Sequence, residues 1–511
     1  MTTTAAAPTT VRSSYDELLR RSKEATILGS ACSVLHWDKE TYMPPAGGEN
    51  RAEQLTLLAG IIHDRCVDPA WGELLAKCEA SELVKDKSST EAVNIRELRR
   101  MYDRETKLPK RLVEEFVRTS SLSQEAWVTA RKESDFSKFQ PWLEKLIKLS
   151  REKADCWGYE KNPYDALLDE FEPYETCENV TRIFDGLQGE LVPIIERIAG
   201  APKRPDKSIL TRAYPIEKQQ AFCRKAAEAI GFDFQSGRID TVVHPFCSGM
   251  GPGDTRITTR YNERFLNEAF FGTMHETGHA LYDMGLPREH YGTPMGSSVS
   301  LGIHESQSRM WENFVGRSPA FWRFFLPEAA KAFPEALSGA RSEAFLHAVN
   351  TVEPSYIRVE ADEATYNLHI VLRFELEQAM LSGKLGVKDL PAAWNKRFKE
   401  LLGIAVPDDR RGCLQDVHWS FGHIGYFATY TLGNLYAAQF YAQAKKDVPG
   451  LEDSFAKGDF TPLLGWLRKN IHGQGMRLRA GELIRAVTGR PLSHADLVSH
   501  LKAKFEPMYG L

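Results

Sequence analysis

Apolar side chains recur at three- and four-residue intervals, among Glu, Arg and Lys, from Tyr15 to about Cys32 and from Asn50 to Leu75. The same spacing returns from Ser89 through Lys148 and from Cys177 to Ile198. That period lines one side of an α-helix with hydrophobic groups, and a chain that repeats it over most of its length has to bury helix against helix. The interruptions are short. His36-Trp37-Asp38-Lys39-Glu40-Thr41-Tyr42-Met43-Pro44-Pro45, followed by Gly47 and Gly48, reads as a breaker, as do Pro109 and Pro141. A different texture appears after Gly200: a Pro- and charge-rich run over Pro202 to Ala213, then Val, Ile and Thr mixed with Gly and Pro from Phe234 to Tyr261. Ile239 to Val243 and Thr255 to Thr259 read as two strands of a small hairpin, with His244 to Gly253 as its loop. Helices resume from Glu263, apart from connections at Gly285 to Gly302 and Gly403 to Gly412.

No internal repeat, heptad run or low-complexity linker forces a domain boundary, so 1–511 is expected to be one mainly α domain. A division near Gly200 is a lobe boundary at most, and residues 1–10 read as a loose leader. Composition narrows the function classes. The 65 basic and 69 acidic residues give a net charge of -4, which leaves no positive field for a phosphate backbone or an anionic membrane. No stretch approaches the ~20 apolar residues of a membrane span. The N-terminus lacks the basic start and apolar stretch of a secretory signal. The eight cysteines are scattered without a C-x-x-C pair. Together these features predict a cytoplasmic chain with reduced thiols and neither nucleic-acid nor membrane partners. Cys247 and Cys413 sit beside the motifs below and are candidates to line a cavity, not nucleophiles.

The local signal with most chemistry is His275-Glu276-Thr277-Gly278-His279. Imidazoles four residues apart share one face of a helix and reach one zinc ion, while Glu276 projects toward a water on that ion. Phe270, Met274, Leu281 and Met284 supply the apolar face, and Gly285 with Pro287 the stop. The competing reading is an exposed helix with two solvated histidines. Gly278 weakens that alternative: a glycine costs a helix interior about 1 kcal/mol relative to alanine, so close backbone packing or a nearby ligand is the better reason for it. A catalytic zinc takes three protein ligands and keeps a position open. From spacing, Glu305 in His304-Glu305-Ser306-Gln307-Ser308-Arg309 is the first choice for the third, with His304 and Glu312 as competitors.

These blocks resemble the carboxypeptidase Taq family, the thermostable metallocarboxypeptidases of bacteria and archaea with a His-Glu-x-x-His motif. The resemblance covers nearly the whole chain. It includes Trp37 to Pro44, Asn162 to Asp169, His244-Pro245-Phe246 with Asp254-Thr255-Arg256-Ile257-Thr258, the two metal segments, Ile357 to Asp362, and Gly412 to Trp419. It implies His275, His279 and Glu305 as zinc ligands and Glu276 as general base and proton shuttle. It also implies a mainly helical peptidase fold with a deep cleft between helical lobes, a small sheet beside the metal, and a homodimer. One departure is Tyr174, which stands where a glycine-like turn position is expected.

Peptide hydrolysis at such a site also needs groups to meet the oxyanion and the terminal carboxylate. His418, Tyr426 and Tyr430 are candidates for the first role, with core aromatic packing as their alternative, more so for Tyr430. An arginine fork suits a carboxylate. Arg358 is the first choice, Arg256 and Arg309 the alternatives, and a structural ion pair is the better reading of Arg309. Asp254, Arg256 and Thr258 are expected on one side of a strand edge that holds an extended peptide. Asp362 and Asp416 are expected either to orient the ligand imidazoles or to act as caps and local ion pairs. The expected activity is a zinc carboxypeptidase, with Co2+ as a substitute metal, that releases single residues from short or unfolded peptides with broad specificity. The alternatives are a zinc oligopeptidase or dipeptidyl carboxypeptidase, and a catalytically inactive helical binding protein.

Overall fold

The computed structural model describes residues 10–511. Of the expected leader only Thr10 lies within the described residues, and its hydroxyl caps the first helix by accepting from Ser13 N–H. The chain is mainly helical. The first part comprises α1 (Val11–Thr41), α2 (Gly48–Cys66), α3 (Pro69–Glu79), α4 (Thr90–Thr106), α5 (Lys110–Glu133), α6 (Gln140–Trp157), α7 (Pro163–Leu168), α8 (Cys177–Gly200) and α9 (Ile216–Ala229). Three strands follow, β1 (Gly237–Thr241), β2 (Cys247–Gly251) and β3 (Asp254–Thr259). Then come α10 (Leu266–Gly285), α11 (Leu301–Arg309), α12 (Pro319–Ala332), α13 (Pro334–Leu337), α14 (Ser342–Val349), α15 (Tyr366–Leu381) and α16 (Leu390–Leu402). The chain closes with α17 (Ala428–Asp447), α18 (Leu451–Phe455), α19 (Thr461–Asn470), α20 (Ala480–Thr488) and α21 (Ala495–Tyr509). Among the described residues no helix is long and apolar enough to cross a membrane.

Two sequence expectations change here. The breaker expected from His36 is mostly helix: α1 runs to Thr41, and the Asp38 carbonyl accepts from both Tyr42 N–H and Met43 N–H before Pro44 and Pro45 end it. Nothing before those prolines removes a backbone donor, so the helix has no reason to stop earlier. The hairpin is also replaced. β1 pairs with β3 in parallel, Gly237 opposite Thr255 and Thr241 opposite Thr259, while the expected loop contains β2, antiparallel to β3. The order is β1-β3-β2. Two strands running the same way cannot be joined by a tight turn, and β2 supplies the reversal between them. β3 is therefore central, both of its backbone edges are taken, and it has none to offer an extended peptide.

The main apolar core draws residues from Ala130 to Tyr509, on both sides of Gly200. A satellite core of Tyr15, Leu18, Trp71, Leu75, Cys78, Ile95 and Leu98 joins α1, α3 and α4, and a third of Ala227, Phe232, Ile257 and Ala280 fixes the sheet to α9 and α10. Helix α10 is buried almost all round. Its closest neighbour is α11: a methyl group on Gly278 would stand 2.6 Å from the Gln307 carbonyl oxygen and from Ser308 Cα. The glycine thus serves the close packing anticipated from its helix cost. On the other side of α11, a methyl group on Gly433 of α17 would stand 2.5 Å from Glu305 Cγ. Three helices are locked together at the segment that carries Glu305, with backbone where side chains normally separate helices.

Candidate metal centre

Helix α10 presents His275 and His279 one turn apart, their ring centroids 4.9 Å from each other and their planes 82° apart. Glu305 enters from α11, whose start is capped by Ser300 and whose Gly302 N–H and Ser300 hydroxyl donate to the buried Glu172 carboxylate. His279 Nε2 lies 3.3 Å and His275 Nε2 3.6 Å from Glu305 Oε2. The donor atoms of all three residues fall within 4.8 Å of one another. Donors at ~2.1 Å on a tetrahedron stand roughly 3.4 Å apart, so two imidazole nitrogens and one carboxylate oxygen at these spacings fit an ion of zinc's type with a position to spare.

The other candidates for third donor stand behind the imidazoles. Glu312 Oε2 is 2.8 Å from His275 Nδ1, reaching it from a π-helical turn over Met310–Val315 that continues α11. His304 Nδ1 is 2.6 Å from His279 Nδ1, and its Nε2 is 2.9 Å from Asp283 Oδ1. Glu312 and Asp283, rather than Asp362 and Asp416, are the carboxylates behind the ligands. Asp362 caps the backbone N–H groups of Ala364 and Thr365, and Asp416 lies between Arg358 and Arg373. Asp283 was open to detection, since it follows His279 by one helical turn on the same helix.

The electrostatics follow from burial and these partners. Burial pushes the Glu276 carboxyl up to about 7, against the pull of His275. Burial also raises Glu305, but Arg309 and His275 overcome it and hold that carboxyl well below the usual range. Arg309 Nε donates to Glu305 at 2.7 Å and Nη1 to Glu312 at 3.1 Å, so Arg309 is the ion pair expected of it. Burial lowers His279 to about 4. Cys247 is half-buried, and desolvation followed by the charges of Asp283 and Glu276 raises its thiol well above normal, which disfavours the nucleophilic thiolate.

The substrate candidates divide into two groups. His418, Tyr426 and Tyr430 form one aromatic cluster: His418 Nε2 is 3.2 Å from the Tyr430 hydroxyl, and the Tyr426 ring lies 5.1 Å from His418 and 5.4 Å from Tyr430. Burial first and then the Glu305 charge raise the Tyr426 phenol. Burial lowers His418 to about 3, so its ring is neutral. Arg358 is buried beside this cluster, with Nε and Nη2 on Asp416 Oδ1 at 3.0 and 2.8 Å and Nη1 donating to the Tyr366 hydroxyl at 2.9 Å. The sheet residues are committed elsewhere. Arg256 is held by Asp254 at 2.7 Å and lies 4.2 Å over the Trp37 ring, tying α1 to the sheet. Thr258 is fully buried, and its hydroxyl accepts from Phe246 N–H and donates to the Phe246 carbonyl. Tyr174 has φ +68°, the left-handed conformation expected at its position, and pays for it with contacts: its N–H donates to Asp169 at 2.7 Å and Arg479 stacks 3.6 Å over its ring.

Comparison with known proteins agrees along the whole length. A sequence profile for Carboxypeptidase Taq (M32) metallopeptidase matches residues 17–505. Thermostable carboxypeptidase 1 of Thermus thermophilus is 46% identical over 510 residues, covering 98% of this chain and all of that protein. Carboxypeptidase 1 of Bacillus subtilis is 36% identical over 502 residues, with 98% and 99% covered. The crystal structure of the M32 carboxypeptidase from Deinococcus radiodurans R1 superposes with a TM-score of 0.94 at 41% identity, over 98% of this chain and 100% of that one. With its helical body, small sheet and His-His-Glu cluster, the chain belongs to the carboxypeptidase Taq (M32) family of metallopeptidases and is a peptide hydrolase.

Proposed function

We propose that this chain is a zinc carboxypeptidase that removes single residues from the free C-termini of short or unfolded peptides, with broad side-chain specificity. The observation that carries the reading is the convergence of His275 Nε2 and His279 Nε2 on Glu305 Oε2, with Glu276 adjacent on the same helix. Zinc, or Co2+ in its place, when bound between these donors supplies a Lewis acid that polarises the scissile carbonyl and acidifies water. The Glu276 carboxylate takes the proton of the attacking water and delivers it to the departing amine. Arg358 receives the terminal carboxylate with the part of its fork that Asp416 and Tyr366 leave free. His418, Tyr426 and Tyr430 donate toward the oxygen on which charge develops. Asp254, Arg256 and Thr258 act at one remove, by holding the sheet and the Phe246 loop beside that space.

The deep cleft between helical lobes that the family resemblance implies favours extended chains, because a folded domain cannot bring its backbone beside the metal. Homodimer assembly and a cytoplasmic location complete the proposal and rest on the family and on composition. The test is product analysis by mass spectrometry with one peptide, supplied as free acid and as C-terminal amide, alongside Glu276→Gln. Release of one residue from the free acid alone, absent in the variant although it keeps its metal, is the expected result. Internal cuts, dipeptide release or equal attack on the amide would replace the assignment with another peptidase class.

A further inference from the structure

Behind His279 stands an arrangement that His275 does not share. His275 Nδ1 faces the Glu312 carboxylate directly, whereas His279 Nδ1 faces another imidazole, that of His304, at 2.6 Å. The His304 ring is packed against both neighbours on α10, its centroid 4.6 Å from His279 at 29° and 5.3 Å from Tyr282 at 48°. Its far nitrogen, Nε2, lies 2.9 Å from Asp283 Oδ1. The other oxygen of Asp283 is crowded by the sheet: a methyl group on Gly249 of β2 would stand 3.0 Å from Oδ2. An alanine at that point would press the carboxylate back by a few tenths of an ångström.

An ionised carboxylate can only accept, so the hydrogen between Asp283 and His304 belongs to His304 Nε2. A metal held by His279 through Nε2 needs the lone pair on that nitrogen, which puts the His279 hydrogen on Nδ1 and leaves His304 Nδ1 as the lone pair that accepts it. The 2.6 Å contact needs one hydrogen, and His279 supplies it. Building on the metal-centre reading, we infer that Asp283 and His304 are positioning residues, a relay that fixes His279 as the Nδ1–H tautomer and aims its Nε2 at the metal. The short helix α11 thereby has two tasks at consecutive residues: Glu305 donates to the ion, and His304 orients another donor. Groups behind a metal-binding histidine set its tautomer and are typically worth 10–100-fold in metal affinity.

The test compares zinc affinity, by chelator competition, in the wild type, His304→Leu, His304→Gln and Asp283→Asn. Leucine offers no acceptor, and about a 10–100-fold loss is expected. Glutamine offers a carbonyl oxygen and is expected to recover most of that loss, which a merely structural role would not predict. Asp283→Asn keeps the His304 ring and serves if the leucine variant does not fold; about a threefold to tenfold loss is expected there. A spectroscopic arm reads the hydrogen directly. In the zinc-loaded protein labelled with 15N-histidine, a coupling between the two Nδ1 nuclei is expected, with the proton carried by His279. Affinity within twofold of wild type in both His304→Leu and Asp283→Asn, failure of glutamine to rescue, or the proton on His304 would each overturn the relay. If folded wild type takes up no zinc, the metal reading falls by itself, and the same labelled spectrum of the metal-free chain decides the relay: a proton on His279 Nδ1 supports it and any other placement refutes it.

Discussion

Asp416 lies between two buried guanidinium groups, and replacing it should expose how that cluster is balanced. Arg358 donates to its Oδ1 at 2.8 and 3.0 Å, and Arg373 Nε to its Oδ2 at 2.7 Å. The side chains of Arg358, Arg373 and Asp416 are 6%, 0% and 10% exposed, so water screens none of them well. The trio carries one net positive charge. Asp416→Asn raises that to two and leaves both cations without a counter-charge, a change that costs about 3–5 kcal/mol when a buried pair is broken from one side. Arg373→Met goes the other way. Arg358 and Asp416 remain matched; the lost hydrogen bonds to Asp416 Oδ2 and to the His369 carbonyl, and the lost stacking contact 4.7 Å over Trp394, are offset in part by removing the surplus buried cation, for a net cost of about 1–2 kcal/mol. Urea titrations followed by tryptophan fluorescence would rank the two variants. The gap between wild type and Asp416→Asn should also stay flat from pH 5 to 9. Burial raises the Asp416 carboxyl, but Arg358 and Arg373 overcome it and hold it well below its unfolded value, so its contribution is fully present above that value and is lost only in stronger acid. An Arg373→Met variant as unstable as Asp416→Asn, or an Asp416→Asn cost under about 1 kcal/mol, would refute the charge count.

Gly433→Ala should weaken zinc binding by about tenfold or more, because its methyl group displaces Glu305, while the overpacking cost of about 1–3 kcal/mol is partly offset by alanine's helix preference; chelator competition and melting read the two effects separately. Glu377, fully buried under hydrogen bonds from Tyr164, Trp419 and Gly425, is pushed by burial up to about 7. Its folded pKa is raised, so it binds its proton more tightly in the folded chain, and its contribution is complete below about 4.5 and lost as pH rises to about 7. The stability of wild type relative to Glu377→Gln should therefore fall by about 3 kcal/mol between those limits, at about 1.4 kcal/mol per pH unit. A flat difference across denaturation curves at pH 5, 6 and 7 would show that the side chain does not titrate there. Chelation should abolish peptidase activity and lower the melting temperature, with zinc or cobalt restoring both; zinc at a hundred times its Kd adds about 2.7 kcal/mol. An unchanged melting temperature on metal removal would place the ion outside the buried triad.

The helices and the centre of the site were legible because both rest on local periodicity. His275 and His279 needed only a helix, and the apolar face of α10 announced one. The sheet was less legible for a physical reason. β2 is built from Cys247, Ser248, Gly249, Met250 and Gly251, with no β-branched or aromatic residue, and it is a strand only because β3 pairs with it. Without β2 the flanking Val, Ile and Thr runs look like the two arms of one hairpin. The arginines were less legible for another reason: sequence points to a buried cation but not to the carboxylate across the fold that pairs with it, as Asp416 pairs with Arg358. His304 was weighed only as a ligand, since its place behind His279 depends on how α11 crosses α10.

The close approach of α17 to Glu305 bears on how fast an ion can leave. A site borne on a surface loop releases its ion whenever the loop frays. Here Glu305 rides on α11, which meets α10 at Gly278 and α17 at Gly433 with no side chain to act as a compressible spacer, and both α10 and α17 are largely buried. Release then has to await a partial opening of the body itself, and the ion's residence time should track the slowest-exchanging backbone amides of α10 and α17 rather than the motions of any loop.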